Sequence, residues 1–277
     1  MAMSDKYSES KLLKEKSEWV RKETLKIHKV AHETRLASSL SAVEIFVALY
    51  YGKIINFNPK NTAWEGRDRF IISKGHGAIS FYPVLADLGF FPKEYLNNVC
   101  KAGCILGGIP DAIIPGFETV NGSLGHGLGV GCGMALGLKR KKCKEKVFVL
   151  VGDGELYEGS IWEAVMFAAE HELDNLILIV DDNKVCMLDY CKNVIDLAPL
   201  DKKFEAFGWV TRKVDGHDTE ELYKSLRHFK DNDDKRPKVL IANTVKGKGV
   251  ARLEKDSLSH IKNLSADEVD TLVSELG

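Results

Sequence analysis

The chain has 277 residues, with 39 Lys and Arg against 40 Asp and Glu and a formal net charge of -1, so no global basic field marks a nucleic-acid or anionic-membrane binder. Its apolar runs, such as Val147 to Val151 and Leu176 to Val180, fall far short of the roughly 20 residues needed to cross a bilayer. The polar start from Met1 to Lys16 lacks the apolar core of a signal peptide, which predicts a cytoplasmic location. Cys100, Cys104, Cys132, Cys143, Cys186 and Cys191 form no CxxC pair and read as reduced thiols rather than a disulfide scaffold or metal cluster.

Apolar positions spaced among charges over residues 8 to 34 predict an amphipathic helix. Ser41 reads as the N-cap of a second helix, with Glu44 as its capping-box partner. The run Phe70-Ile71-Ile72 then ends at Ser73-Lys74-Gly75-His76-Gly77 before a helix to about Gly89. The same strand, loop, helix unit recurs at Val147 to Val151 with a helix through Ala164 to Glu170. Further strands are expected at Leu176 to Val180, Trp209 to Val214 and Val239 to Thr244, with a helix near Glu220 to Phe229. This alternation predicts an α/β fold, a mostly parallel sheet with helices on both faces and a helical N-terminal arm, in one domain over residues 1 to 277. Ligands in such folds sit beyond the carboxyl ends of the strands.

The sharpest motif is Gly152-Asp153-Gly154, followed after 28 residues (155 to 182) by Asn183 at the end of the next strand. Adjacent parallel strands would bring Asp153 and Asn183 to one sheet edge. A carboxylate, an amide oxygen and a backbone carbonyl suit Mg²⁺, which keeps phosphate oxygens among its roughly six ligands. The glycines flanking Asp153 let a diphosphate approach the backbone. Either motif alone also reads as an ordinary turn, with Asp153 as a cap; their joint placement favours a magnesium diphosphate site.

These residues resemble the thiamine-diphosphate signature, and the resemblance to the N-terminal half of transketolase extends over nearly the whole chain, especially to the split form in which that half is a separate subunit. It is carried by Arg67-Asp68-Arg69-Phe70, Ser73-Lys74-Gly75-His76, Pro115-Gly116-Phe117-Glu118, Gly122-Ser123-Leu124-Gly125, Gly152 to Gly159, Asp181-Asp182-Asn183-Lys184, Phe204 to Trp209, Asp215-Gly216-His217-Asp218 and Thr244 to Gly249. It implies thiamine diphosphate with Mg²⁺ or another divalent cation, held by Asp153, Asn183 and the carbonyl of Val185. It also implies Gly152 and Gly154 at the diphosphate, His76 and His260 as catalytic and cofactor-binding residues, and Gly122, Ser123 and Leu124 at the aminopyrimidine. Glu158 and Glu163 match acidic residues that link cofactor sites across a dimer. The seven glycines from Gly122 to Gly137 do not follow a convincing strand, so close helix packing is preferred to a dinucleotide site. Lys246 and Lys248 lie in a Gly-alternating loop that could touch phosphate but reads at least as readily as a solvated loop.

Two departures bear on the substrate. Arg35 and Ile109 stand where the family usually has histidines of the sugar pocket; His28 and His32 are expected on an exposed helix face. The implied activity is transfer of a two-carbon ketol unit between sugars or sugar phosphates. The activating glutamate of this family lies in the other half, so the resemblance implies a C-terminal, pyrimidine-binding partner subunit in an α2β2 assembly. The alternatives are a thiamine subunit of a 2-oxoacid dehydrogenase and a noncatalytic cofactor-binding subunit.

Overall fold

The computed structural model of the chain describes residues 3 to 276, so the start expected at Met1 to Lys16 and the span 1 to 277 lie in part outside the described residues. In chain order the elements are α1 (Met3–Val30), α2 (Leu36–Leu40), α3 (Val43–Tyr50), β1 (Arg69–Ile72), α4 (Phe81–Asp87), α5 (Gly127–Arg140), β2 (Val147–Gly152), α6 (Gly159–Glu170), β3 (Leu176–Asp182), α7 (Cys191–Val194), α8 (Leu200–Ala206), β4 (Val210–Asp215), α9 (Thr219–Asp231), β5 (Lys238–Asn243), α10 (Ala251–Glu254) and α11 (Ala266–Glu275). The five strands form one sheet in the order β1-β2-β3-β5-β4, parallel at every pairing.

The runs that read as continuously apolar are the central strands, buried on both faces: β2 and β3 are buried at every position. Successive side chains go to opposite faces of the sheet. Phe148, Leu150, Ile177 and Ile179 join one core with Phe46, Phe81 and Leu226 of the helices. Val149, Val151, Leu178 and Val180 join the other, with Leu128 and Val165. The edge strand β4, Val-Thr-Arg-Lys-Val-Asp, is largely uncovered, and its charged residues suit an edge. A third cluster ties Leu25 of α1 and Leu36 and Leu40 of α2 to Val269 of α11.

Several local expectations are corrected. Ser41 is not an N-cap: it follows α2, and its hydroxyl donates to Ser38 O at 3.1 Å and to Asp181 Oδ2 at 2.6 Å. Ala42 precedes α3 with no side-chain cap, and Glu44 turns inward to Arg21 and His217. β3 runs two residues beyond Val180, because Asp181 and Asp182 are paired in register with Ala242 and Asn243. His28 is fully buried, whereas His32 is exposed as expected. Of the glycines on α5, a Cβ at Gly131 would fall 2.6 Å from Val149 Cγ2, but Gly129, Gly133 and Gly137 face open space, so close packing explains only part of that run. No helix among the described residues is long and apolar enough to cross a membrane.

Candidate active site

Because all strands run the same way, the segments after β1, β2, β3 and β5 emerge at one end of the sheet. There they surround a cleft of about 330 Å³. Of the residues predicted from the sequence, His76, Gly122, Leu124, Gly152, Asp153, Gly154, Asn183, Val185 and His260 line it. Ser123 is exposed beside it; Glu158, the residue that precedes α6, and Glu163 within α6 are both exposed. Ile109 stands at its edge: its Cγ2 lies 3.3 Å from where a Cβ on Gly75 would be and 3.4 Å from one on Gly122, and it is 50% exposed.

The register places Gly152 beside Asp181, which brings Asp153 next to the Asn183 turn. Asp153 Oδ1 accepts from Gly154 N at 2.8 Å, and Oδ2 accepts from Lys184 N. The cap reading and the site reading of Asp153 therefore both describe the same side chain. Burial raises its carboxyl to about 6, with the charges of Asp181 and Asp182 adding to the shift. Among the described residues it has no ion-pair partner, and a buried carboxylate beside two others calls for a cation. Asn183 Oδ1 accepts from Val185 N at 3.2 Å and the Val185 carbonyl accepts from Lys246 Nζ at 2.7 Å, and each oxygen keeps a second lone pair. This all-oxygen set fits a hard divalent ion completed by phosphate oxygens. No cluster of three His, Cys, Asp or Glu side chains among the described residues competes with it.

Beneath the cleft lies a buried polar layer that sequence reading passed over. Lys74 pairs with Asp181 and donates to Ser38 O at 3.0 Å; Asp181 also accepts from Ser41 at 2.6 Å and from Thr244. Burial pushes the Asp181 carboxyl up, but Lys74 and these hydrogen bonds outweigh it and hold it below the usual range. Glu155, buried, accepts from Ser73 and from Gly125 N at 2.9 Å and Gly152 N at 3.2 Å, so it ties the turn after Gly122 to two strand ends. Burial nevertheless raises its carboxyl above the usual range. The only signal for these residues was their place inside the quoted motifs.

Lys246 is buried in the cleft wall and reaches Val185 O and, at 3.3 Å, Cys186 O. Burial lowers its ammonium to about 8, with Lys74 adding to the effect. Of the two readings of its loop, the cleft position favours the phosphate contact for Lys246; Lys248 is half-buried and does not line the cleft. His76 and His260 face each other with ring centroids 5.0 Å apart, and His260 Nδ1 lies 3.2 Å from Ser38 Oγ. Burial drives His76 well below its ordinary value, helped by Lys74. Burial likewise brings His260 to about 4, with Lys246 and Arg35 contributing. Both are neutral imidazoles near pH 7, able to accept or donate one hydrogen bond at each nitrogen.

The chain matches the family described as transketolase, thiamine diphosphate binding domain, over residues 20 to 277. It is 40% identical over 240 residues to one of the subunits of the apulose-4-phosphate transketolase of Actinobacillus succinogenes, covering 86% of each chain. It is 36% identical to a 6-deoxy-6-sulfo-D-fructose transketolase subunit of Clostridium sp., covering 87% of each. Among solved structures it is similar to the transketolase of Campylobacter jejuni, with a TM-score of 0.88 and 30% identity; the match covers 96% of this chain and 42% of that one.

Proposed function

The chain belongs to the transketolase family of thiamine-diphosphate-dependent transferases, and from that premise we propose that it is the diphosphate-binding subunit of a split transketolase, a single domain that works with a separate pyrimidine-binding subunit in an α2β2 assembly. The observation that carries this reading is Asp153, a buried carboxylate with no ion-pair partner among the described residues, set beside Asn183 and the Val185 carbonyl. In this reading those three oxygens hold Mg²⁺ or another divalent cation. Gly152 and Gly154 lie along the diphosphate, Lys246 offsets its remaining charge, and Gly122, Ser123 and Leu124 face the aminopyrimidine. Glu158 and Glu163, both exposed, link cofactor sites across a dimer.

Thiamine diphosphate, when bound, supplies the electron sink for cleaving a carbon–carbon bond next to a carbonyl. The chain's own part is orientation and proton handling. His76 and His260, kept neutral by burial and by the surrounding cations, hold the hydroxyls of a two-carbon ketol unit and pass protons with the sugar oxygens. Ser38 fixes the His260 ring through its Nδ1 contact.

Substrates in this reading are sugars or sugar phosphates. The names of the two relatives describe sugars bearing a phosphate or a sulfonate. Arg35 supports a similar anionic preference, because no carboxylate pairs with its half-buried guanidinium among the described residues, while its charge reaches His260. Arg35 would thus be free for a planar anion, and Ile109 narrows the mouth without offering a hydrogen bond. The test is reconstitution: the purified chain alone should be silent, and ketol transfer should appear on adding the subunit that carries the pyrimidine-binding half. Turnover by the chain alone, with other subunits excluded by mass spectrometry, would overturn the split assignment; thiamine diphosphate binding without turnover by the pair would mark a noncatalytic subunit.

A further inference from the structure

The Lys246 loop hangs from a buried relay that touches no part of the cleft. His217 Nε2 accepts from Val245 N at 2.8 Å, which leaves the ring hydrogen on Nδ1, and Nδ1 lies 2.9 Å from Glu44 Oε2. The other Glu44 oxygen pairs with Arg21. Arg21 in turn donates to Lys248 O at 2.6 Å and Leu40 O at 3.0 Å. Lys246 is therefore flanked on both sides by backbone groups bound to one network, whose members come from α1, α3 and the turn after β4. Arg21 and Glu44 are each 6% exposed. Burial pushes the Glu44 carboxyl up, but its bond to His217 and the charge of Arg21 more than reverse this and hold it below the usual range.

The turn bearing His217 is pressed against the loop as closely as the backbone permits. Gly216 N donates to Asn243 O at 2.7 Å, and a Cβ on Gly216 would lie 2.3 Å from Thr244 Cγ2. Only glycine fits there. Apolar packing alone would hold α1 and α3 together, and burying ions beneath a loop is costly unless their geometry is complete. What the network fixes is the loop's one cation that lines the cleft: Lys246 Nζ makes contacts of 2.7 and 3.3 Å with two carbonyls, which a displacement of the loop by about 1 Å would break.

Resting on the reading of Lys246 as a diphosphate contact, we propose that His217 is a positioning residue for the cofactor site, acting through Lys246, with Glu44 and Arg21 fixing its tautomer and orientation. His217 does not touch the cofactor. Its effect is to set where the Lys246 ammonium stands.

A double-mutant cycle on the reconstituted pair tests this, with thiamine diphosphate and Mg²⁺ as the calorimetric probe and thermal midpoints measured in parallel. His217→Ala should weaken binding roughly tenfold, the scale of a lost outer-shell partner, but less than about twofold when Lys246 is already replaced by Met, because the coupling runs through that side chain. His217→Gln, whose amide oxygen can replace Nε2 toward Val245, should keep most of the affinity; His217→Asn, which reaches only the Glu44 side, should not. Equal losses in both backgrounds, or equal weakening by Gln and Asn, would reduce His217 to a structural role. Should His217→Ala fail to fold, the Gln and Asn pair decides. A reconstituted wild-type pair that binds no thiamine diphosphate with Mg²⁺ would overturn the cofactor-site reading itself, and with it this proposal.

Discussion

Beneath the cleft, Lys74 and Asp181 are 2% and 0% exposed and meet each other, a backbone carbonyl and two hydroxyls. At its rim, Ile109, Met187 and Leu188 are 50%, 57% and 66% exposed; Arg35, whose charge reaches His260 of the cleft, has no acid to pair with among the described residues. The floor has one stable arrangement, since any lost partner leaves a buried charge. The rim has side chains whose replacement disturbs little else. In the proposed reading, cofactor chemistry sits on the part of the molecule that resists change, and substrate choice on the part that tolerates it.

The largest effect should come from the cation site at the floor's edge. Asp153→Ala removes the only carboxylate of the proposed metal set, and even outer-shell partners of metal sites are worth about 10-fold to 100-fold. We expect calorimetry with thiamine diphosphate and Mg²⁺ to show a loss beyond about 100-fold. Unchanged affinity would move the metal elsewhere and dissolve the contrast between floor and rim.

Next is the buried pair itself. Lys74→Met leaves Asp181 without its cation in a fully buried position, which should cost about 3–5 kcal/mol in chemical denaturation. Replacing both partners by apolar residues should recover part of that loss. A single replacement that costs no more than an exposed one would mean the floor is less constrained than its geometry shows.

Of this contrast, the sequence carried the strand ends well and the buried layer poorly. Val147 to Val151 and Leu176 to Val180 are short continuous apolar runs, and such runs between helices can scarcely be anything but inner parallel strands; Asp153 and Asn183 followed from them. Asp181 gave no such sign, because nothing local distinguishes a carboxylate that will meet Lys74 from across the sheet from one that will face water. Ser41 is hidden from local reading for the same reason. Its spacing to Glu44 imitates a capping box, yet tertiary partners, Asp181 for one and Arg21 with His217 for the other, took both side chains.

A third prediction concerns pH at a site away from the cleft. His28 lies at the end of α1, where Nδ1 meets Thr34 Oγ1 at 2.9 Å and Nε2 accepts from Leu264 N at 3.3 Å. Burial lowers its pKa to about 4, with His32 adding, so the unfolded chain takes up its proton first as pH falls. Its contribution to stability is intact above about 6.5, declines as pH drops toward about 4 and levels off below that. The urea midpoint should fall between pH 7.5 and 5.5, by roughly 0.3–0.5 M on account of this residue, and His28→Gln should flatten that part of the profile. An identical slope in the variant would assign the acid sensitivity to other groups.

The smallest effect belongs to the rim, and it separates the two regions most directly. Ile109 offers no hydrogen bond to a sugar hydroxyl, and a buried hydroxyl without a partner costs about 1–3 kcal/mol, roughly one to two decades in rate if felt in the transition state. An uncharged sugar end placed near Arg35 would also leave the guanidinium without an acceptor. Sugars whose hydroxyls meet Ile109 and that bring no anion to Arg35 should therefore be poor substrates of the reconstituted pair, and Ile109→His with Arg35→His should raise their kcat/KM by about tenfold while leaving thiamine diphosphate affinity unchanged. The same double replacement should lower kcat/KM for a sugar whose phosphate or sulfonate is read by Arg35. If both classes of sugar respond alike, or if cofactor affinity moves with them, the rim is not a separable specificity layer and Arg35 belongs to the cofactor's own surroundings.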